Sequence, residues 1–152
     1  MKLMPQSSCL ERLPALKILL AAEDAELRRL LGLVLERDGH DVVEVRDSGE
    51  LFETLAATVA EPTKRTFDLM ICEQSLPGIR GLTVLAGLRS RAAPTAVVLI
   101  TSDTIIAAQA RRLGATILAD PFRLQAVRDA VSRSTAWIDM VIAYDLDPET
   151  RN

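Results

Sequence analysis

FDLMICEQSLPGIRGL, residues 67–82, is the stretch that decides the fold. Its first six residues form a nearly unbroken apolar run, the pattern of a strand buried on both faces rather than one with a wet side. A carboxylate, Glu73, follows at once. Pro77, Gly78 and Gly81 then punctuate a loop, and Leu82, Leu85 and Leu88 recur at helical spacing before Pro94 restarts the chain. The expected pieces are a third strand at Phe67–Cys72 and a short third helix.

The same alternation of apolar run and helical period extends in both directions from there. Upstream, Leu16–Ala22 reads as a first strand and residues 25–38 as a helix carrying Leu27, Leu30, Leu31 and Val34, with Asp24 placed to cap its start and Gly39 its end. Asp41–Val45 reads as a second strand. Asp47 and Glu50 form a capping box opening a helix with Leu51, Phe52 and Leu55, which Pro62 stops. Downstream, AVVLIT is a fourth strand and Ile105–Leu113 a helix closed by Gly114. ATILA is a fifth strand broken by Pro121, and the last helix starts near Arg123. Its stripe of Leu124, Val127, Val131, Ile138 and Val141 is continued by Trp137, Met140 and Tyr144, read as covering the sheet or the domain's base. Strands alternating with helices give βαβ units and an α/β, doubly wound, five-stranded parallel sheet with five helices in a three-layer sandwich.

Length and composition bound what such a domain does. At 152 residues the chain fits one domain, expected over 16–143 between a leader, 1–15, and a tail, 144–152. Hydrophobic residues at 49% provide a core, and a net charge of −3 argues against nucleic acid as a partner. The basic pairs Arg28–Arg29 and Arg111–Arg112 read as solvated helix faces. Two cysteines, Cys9 and Cys72, make no disulfide framework or metal cluster, and Cys72 reads as a small core residue. With no signal-like leader and no run of about 18 apolar residues, a cytoplasmic, non-membrane protein is expected. His40, the only histidine, falls in the turn after the first helix and reads as a surface residue.

Doubly wound sheets bind ligands beyond the carboxyl ends of their strands, so the exits carry the functional information. They hold Ala22, Glu23 and Asp24 after the first strand, Glu73 after the third, Thr101 and Ser102 after the fourth, and Asp120 after the fifth. Here the stretches KILLAAEDAELRRLL, FDLMICEQSLPGIRGL, VVLITS and GATILADPF resemble the receiver domains of two-component response regulators, a CheY-like family, over about residues 16–135. The resemblance implies strand order 2-1-3-4-5. It also implies a magnesium-holding acidic pair at Ala22 and Glu23, a phosphate-accepting aspartate where Glu73 stands, a hydroxyl at Thr101 and a lysine where Asp120 stands. An aromatic that rotates inward on activation corresponds to Ile117.

The departures from that pattern each have a consequence. Ala22 removes an oxygen ligand from a metal that favours carboxylates, and Asp24 is engaged as a cap. Glu73 is one methylene longer than aspartate, and a misplacement of about 1 Å can cost on the order of a hundredfold in rate. Asp120 puts an anion where a cation would neutralise the phosphoryl oxygens. The expectation is a pseudo-receiver: no catalytic residues, no metal or cofactor, and a role in protein–protein interaction. Three further readings stay open. Glu73 imitates a phosphorylated aspartate by reaching to Thr101; or, beside Asp120, it is pushed out or takes up a proton, with Arg80 offsetting its charge; or the receiver still responds by binding metal or phosphate through Glu23, Asp24 and Glu73. An enzyme on this scaffold finds little support, since the glycines give no nucleotide fingerprint. The resemblance implies a histidine kinase, another regulator or a second copy of the chain as partner, met through the face of helix four, strand five and helix five.

Overall fold

The computed structural model describes residues 15–60, 66–91 and 93–146, and the backbone alone at 59 and 141–146. Five strands alternate with five helices: β1 Lys17–Ala21, α1 Ala25–Arg37, β2 Asp41–Val45, α2 Ser48–Ala60, β3 Leu69–Glu73, α3 Gly81–Ser90, β4 Ala96–Ile100, α4 Thr104–Arg112, β5 Thr116–Leu118 and α5 Leu124–Leu146. The sheet is parallel throughout, in the order β2-β1-β3-β4-β5, so fold class and strand order are those expected.

The strand period of two sorts the interior strands into two cores. Ile18 and Leu20 of β1, Leu69 and Ile71 of β3, and Val98 and Ile100 of β4 pack on one face against Leu31 and Leu35 of α1 and Val127 and Val131 of α5. Leu19, Met70, Cys72, Val97 and Leu99 turn to the other face and meet Leu51 of α2, Val84 and Leu85 of α3, and Ala110 of α4. Every residue of β4 is buried, which explains its unbroken apolar sequence.

The helix starts are set by side-chain caps. Asp24 Oδ1 accepts from the N–H groups of Glu26 and Leu27 at 2.9 and 3.1 Å, and Asp103 does the same for α4 at Ile105 and Ile106. At α2, Asp47 accepts from Glu50 N–H at 2.9 Å while the Glu50 carboxylate reaches back to Arg46 N–H at 2.8 Å, one residue before the expected cap.

Several boundaries and burials differ from the expectation. β3 begins at Leu69 rather than Phe67 because Asp68 closes the entry to the ladder: its N–H donates to Lys17 O and its Oδ2 accepts from Lys17 N–H at 2.8 Å. β5 keeps only three residues as an edge strand. α5 runs to Leu146, past the boundary expected at 143. Its stripe is less complete than its pattern: Leu124 is 40% and Met140 62% exposed, while Val127, Val131 and Trp137 do pack on the core. Cys9, Pro62 and residues 1–14 of the leader lie outside the described residues, as do the tail beyond 146 and the side chains of Val141 and Tyr144. His40 is the largest correction. It is only 7% exposed, because its Nδ1 accepts the N–H of Leu16 at 3.1 Å and so joins the turn before β2 to the start of β1. Among the described residues no helix is long and apolar enough to cross a membrane.

Candidate functional site

The strand order reverses at β1 and β3, parallel neighbours in the sheet though not in sequence, and their exits form the crevice where such folds hold ligands. Ala22 follows β1, fully buried, its N–H fastened to Val45 O at 3.1 Å. Glu73 is the last residue of β3 and is half-buried. Across the crevice the Glu23 N–H donates to Glu73 Oε1 at 2.7 Å. The carboxylate at the acceptor position is therefore already hydrogen-bonded to the loop that follows β1.

The other expected site residues stand at their strand exits without converging on Glu73. Asp24 is spent on the α1 cap. Thr101, 8% exposed, uses Oγ1 to accept the N–H of Asp103 at 3.1 Å, and no hydrogen bond joins it to Glu73 among the described residues. The geometry thus corrects the reading in which Glu73 reaches to Thr101. Asp120 is exposed after β5. Arg80 is exposed at the cap position of α3, and among the described residues no ion pair ties it to Glu73, whose partner is a backbone amide instead. Ile117 packs against the second core. Burial, with the adjacent Glu73 carboxylate adding to it, pushes the Cys72 thiol up to about 12, so it stays a protonated core residue.

Three residues to which sequence reasoning gave no role at the strand exits shape the site. Gln74, not Arg80, caps α3: its Oε1 accepts the Leu82 N–H at 2.8 Å. Gly81 permits the close approach of α3 to β3, since a Cβ there would lie 2.9 Å from Glu73 O. Arg28 is the third, and the reading of the Arg28–Arg29 pair as solvated holds only for Arg29. The Arg28 side chain is 17% exposed, and its Nη1 donates to the carbonyls of Ala22 at 2.7 Å and Glu23 at 3.2 Å.

A divalent cation is what the resemblance implies for this crevice, and the donors present do not fit one. Ala22 offers no side-chain oxygen, Asp24 is turned to its helix, and Glu73 Oε1 is held by an N–H. Among the described residues no three His, Cys, Asp or Glu side chains gather where they could hold a metal.

Comparison with known proteins assigns the family: residues 18–132 match the response regulator receiver domain model. The chain belongs to the response regulator receiver domain family. A curated relative is the response regulator protein FleR of Pseudomonas aeruginosa, 34% identical over 122 residues, a stretch that is 78% of this chain but 24% of FleR. Among solved structures, NtrX from Brucella abortus superposes with a TM-score of 0.72 at 24% identity, covering 88% of this receiver and 30% of that chain. The beryllofluoride-activated NtrC4 receiver domain dimer superposes at 0.69 and 15% identity, covering 80% and 98%. At these identities the structural likeness speaks for the fold. This receiver thus spans about a quarter of FleR, and its strand exits carry Ala22, Glu73 and Asp120.

Proposed function

We propose that this receiver acts in two-component signalling as a non-enzymatic docking module that engages a protein partner without being phosphorylated. The observation that carries the reading is the state of the acceptor position: the Glu73 carboxylate is bonded to Glu23 N–H at 2.7 Å, with Asp120 where a phosphate-bridging lysine would stand. Phosphoryl transfer is almost wholly positioning and charge neutralisation, whereas Glu73 Oε1 is taken by an amide and no ion pair reaches its carboxylate among the described residues. A cytoplasmic setting fits, and the partner is a histidine kinase, another regulator or a second copy of this chain. The NtrC4 receiver is described as a dimer, which keeps the last in view. The docking face proposed is α4–β5–α5. It carries Ile105 on α4, an apolar side chain 71% exposed, and Leu124 at the start of α5.

The test is incubation with acetyl phosphate and magnesium followed by intact-mass measurement, and with beryllofluoride followed by amide spectra. The mass is expected to stay that of the unmodified chain and the amides of Glu23, Glu73 and Thr101 to stay in place. A stoichiometric phosphoryl adduct, or a saturable beryllofluoride shift at those amides, overturns the reading.

A further inference from the structure

We propose that Arg28 is the positioning residue of this pocket, a built-in cation that fixes the Glu73 carboxylate through the single peptide unit joining Ala22 to Glu23. The inference rests on the phosphorylation-independent reading and deepens it by naming what holds the site in one state. That peptide is gripped at both ends. Its carbonyl, on Ala22, lies past the last residue of β1 and accepts from Arg28 Nη1 at 2.7 Å. Its N–H, on Glu23, donates to Glu73 Oε1, also at 2.7 Å. Both distances are at the short end expected for hydrogen bonds with an ionised partner. A cation on the oxygen of an amide makes its N–H a stronger donor, and hydrogen bonds in series reinforce one another by roughly 10–30% each. Guanidinium, peptide and carboxylate therefore form a relay in which Arg28 balances Glu73 without touching it.

Two observations show that Arg28 is placed for this purpose rather than by helix preference. It stands in the first turn of α1, where the helix dipole disfavours a cation, and its side chain is only 17% exposed, so it gives up water as well. It is also braced from behind. Glu44 Oε1, from β2, lies 3.5 Å from Arg28 Nε, and the Glu44 carboxylate rests against Gly32, where a Cβ would come within 2.6 Å of its Oε2. Glycine is a poor residue for a helix interior, and here its missing Cβ leaves the space that the brace occupies.

The Glu23 amide reports the relay directly, in the isotope-labelled whole chain. In the parent protein it is expected downfield, with slow exchange. Arg28→Met should move it upfield and speed its exchange on the order of tenfold, the factor that a lost charge-assisted hydrogen bond corresponds to. Glu73→Ala should do the same from the other end. Arg28→Lys, which retains a charged donor, should restore most of the shift, a rescue that a merely space-filling role would not give. A Glu23 amide unmoved in folded Arg28→Met, with the sole tryptophan, Trp137, emitting as in the parent, overturns the relay. Where Arg28→Met does not fold, Gly32→Ala tests it from outside the loop by displacing Glu44: a Glu23 resonance shifted upfield supports the relay, and an unmoved one overturns it. Beryllofluoride added to the parent chain addresses only the proposed function, so the two ideas fail separately.

Discussion

His40 shows how a single side chain ties pH to stability far from the strand exits. Its Nδ1 accepts the Leu16 N–H, so the ring must be unprotonated at that nitrogen while the bond exists. Burial lowers its pKa from the ordinary 6.5, and the neighbouring Asp38 pulls more weakly the other way. The unfolded chain therefore binds the proton more readily than the folded one. The contribution of His40 is complete above the unfolded value and is lost as the pH falls below it. Chemical denaturation at pH about 7.5 and about 5.5 should show the parent losing more stability on acidification than His40→Asn, whose side-chain oxygen offers the same bond without titrating. Equal losses in the two proteins would remove His40 as the cause. The placement of this residue after Gly39 and before β2 was readable from the sequence; its burial was not, because no periodicity records one ring folded under a turn. The site has the same division. Glu23, Glu73, Thr101 and Asp120 could be placed because each position follows from the distance to a strand end. The bonds of Arg28 and Glu73 could not, because they depend on side-chain torsions and on one carbonyl the ladder leaves free.

At the scale of elements, the loop between β3 and α3 has to thread past the start of α2. Ser48 N–H donates to Pro77 O at 2.9 Å, and Gly78 follows at φ +94°, with its missing Cβ facing the Ser48 side chain. Gly78→Ala combines a left-handed backbone that L residues resist with a contact that neither side can easily yield. It should destabilise the domain by about 1–3 kcal/mol, read as a lower thermal midpoint. Gly87, inside α3 with nothing near its missing Cβ, is the counterpart: Gly87→Ala should stabilise by about 0.5–1 kcal/mol. A Gly78→Ala domain as stable as the parent would mean that neither the left-handed backbone nor the Ser48 contact costs anything there. Elements of this kind were legible wherever a cap or a glycine marks an end, as Asp24, Asp47, Gly39 and Gly114 do. They were less so where pairing decides the limit. The first residues of the FDLMIC run, Phe67 and Asp68, precede the ladder because Asp68 is bonded to Lys17, and β5 is trimmed because only β4 pairs with it.

For the molecule as a whole, one sheet serves two cores, and that arrangement fixes how it should unfold. Neighbouring residues of β1 point to opposite faces: Leu20 contacts the core beneath α1 and α5, Leu19 the core beneath α2, α3 and α4. Neither core can come apart while the other keeps the strand, since both are built on the same hydrogen-bonded ladder. The base of the molecule adds a second tie. Arg89 of α3 donates from Nε to Leu113 O at 2.6 Å, after α4, and from Nη1 to Thr95 O at 2.9 Å, before β4, with its guanidinium 4.7 Å from the Trp137 ring of α5. Trp137 therefore reports the first core directly and the second through Arg89. Leu19→Ala and Leu20→Ala should each cost about 2–5 kcal/mol, since both side chains are fully buried and the sheet cannot collapse into the space they leave. In each variant the urea transitions followed by Trp137 emission and by backbone circular dichroism should coincide, as for a two-state domain. If Leu19→Ala instead loses helical signal before the Trp137 environment changes, the two cores are separable and the shared ladder does not couple them.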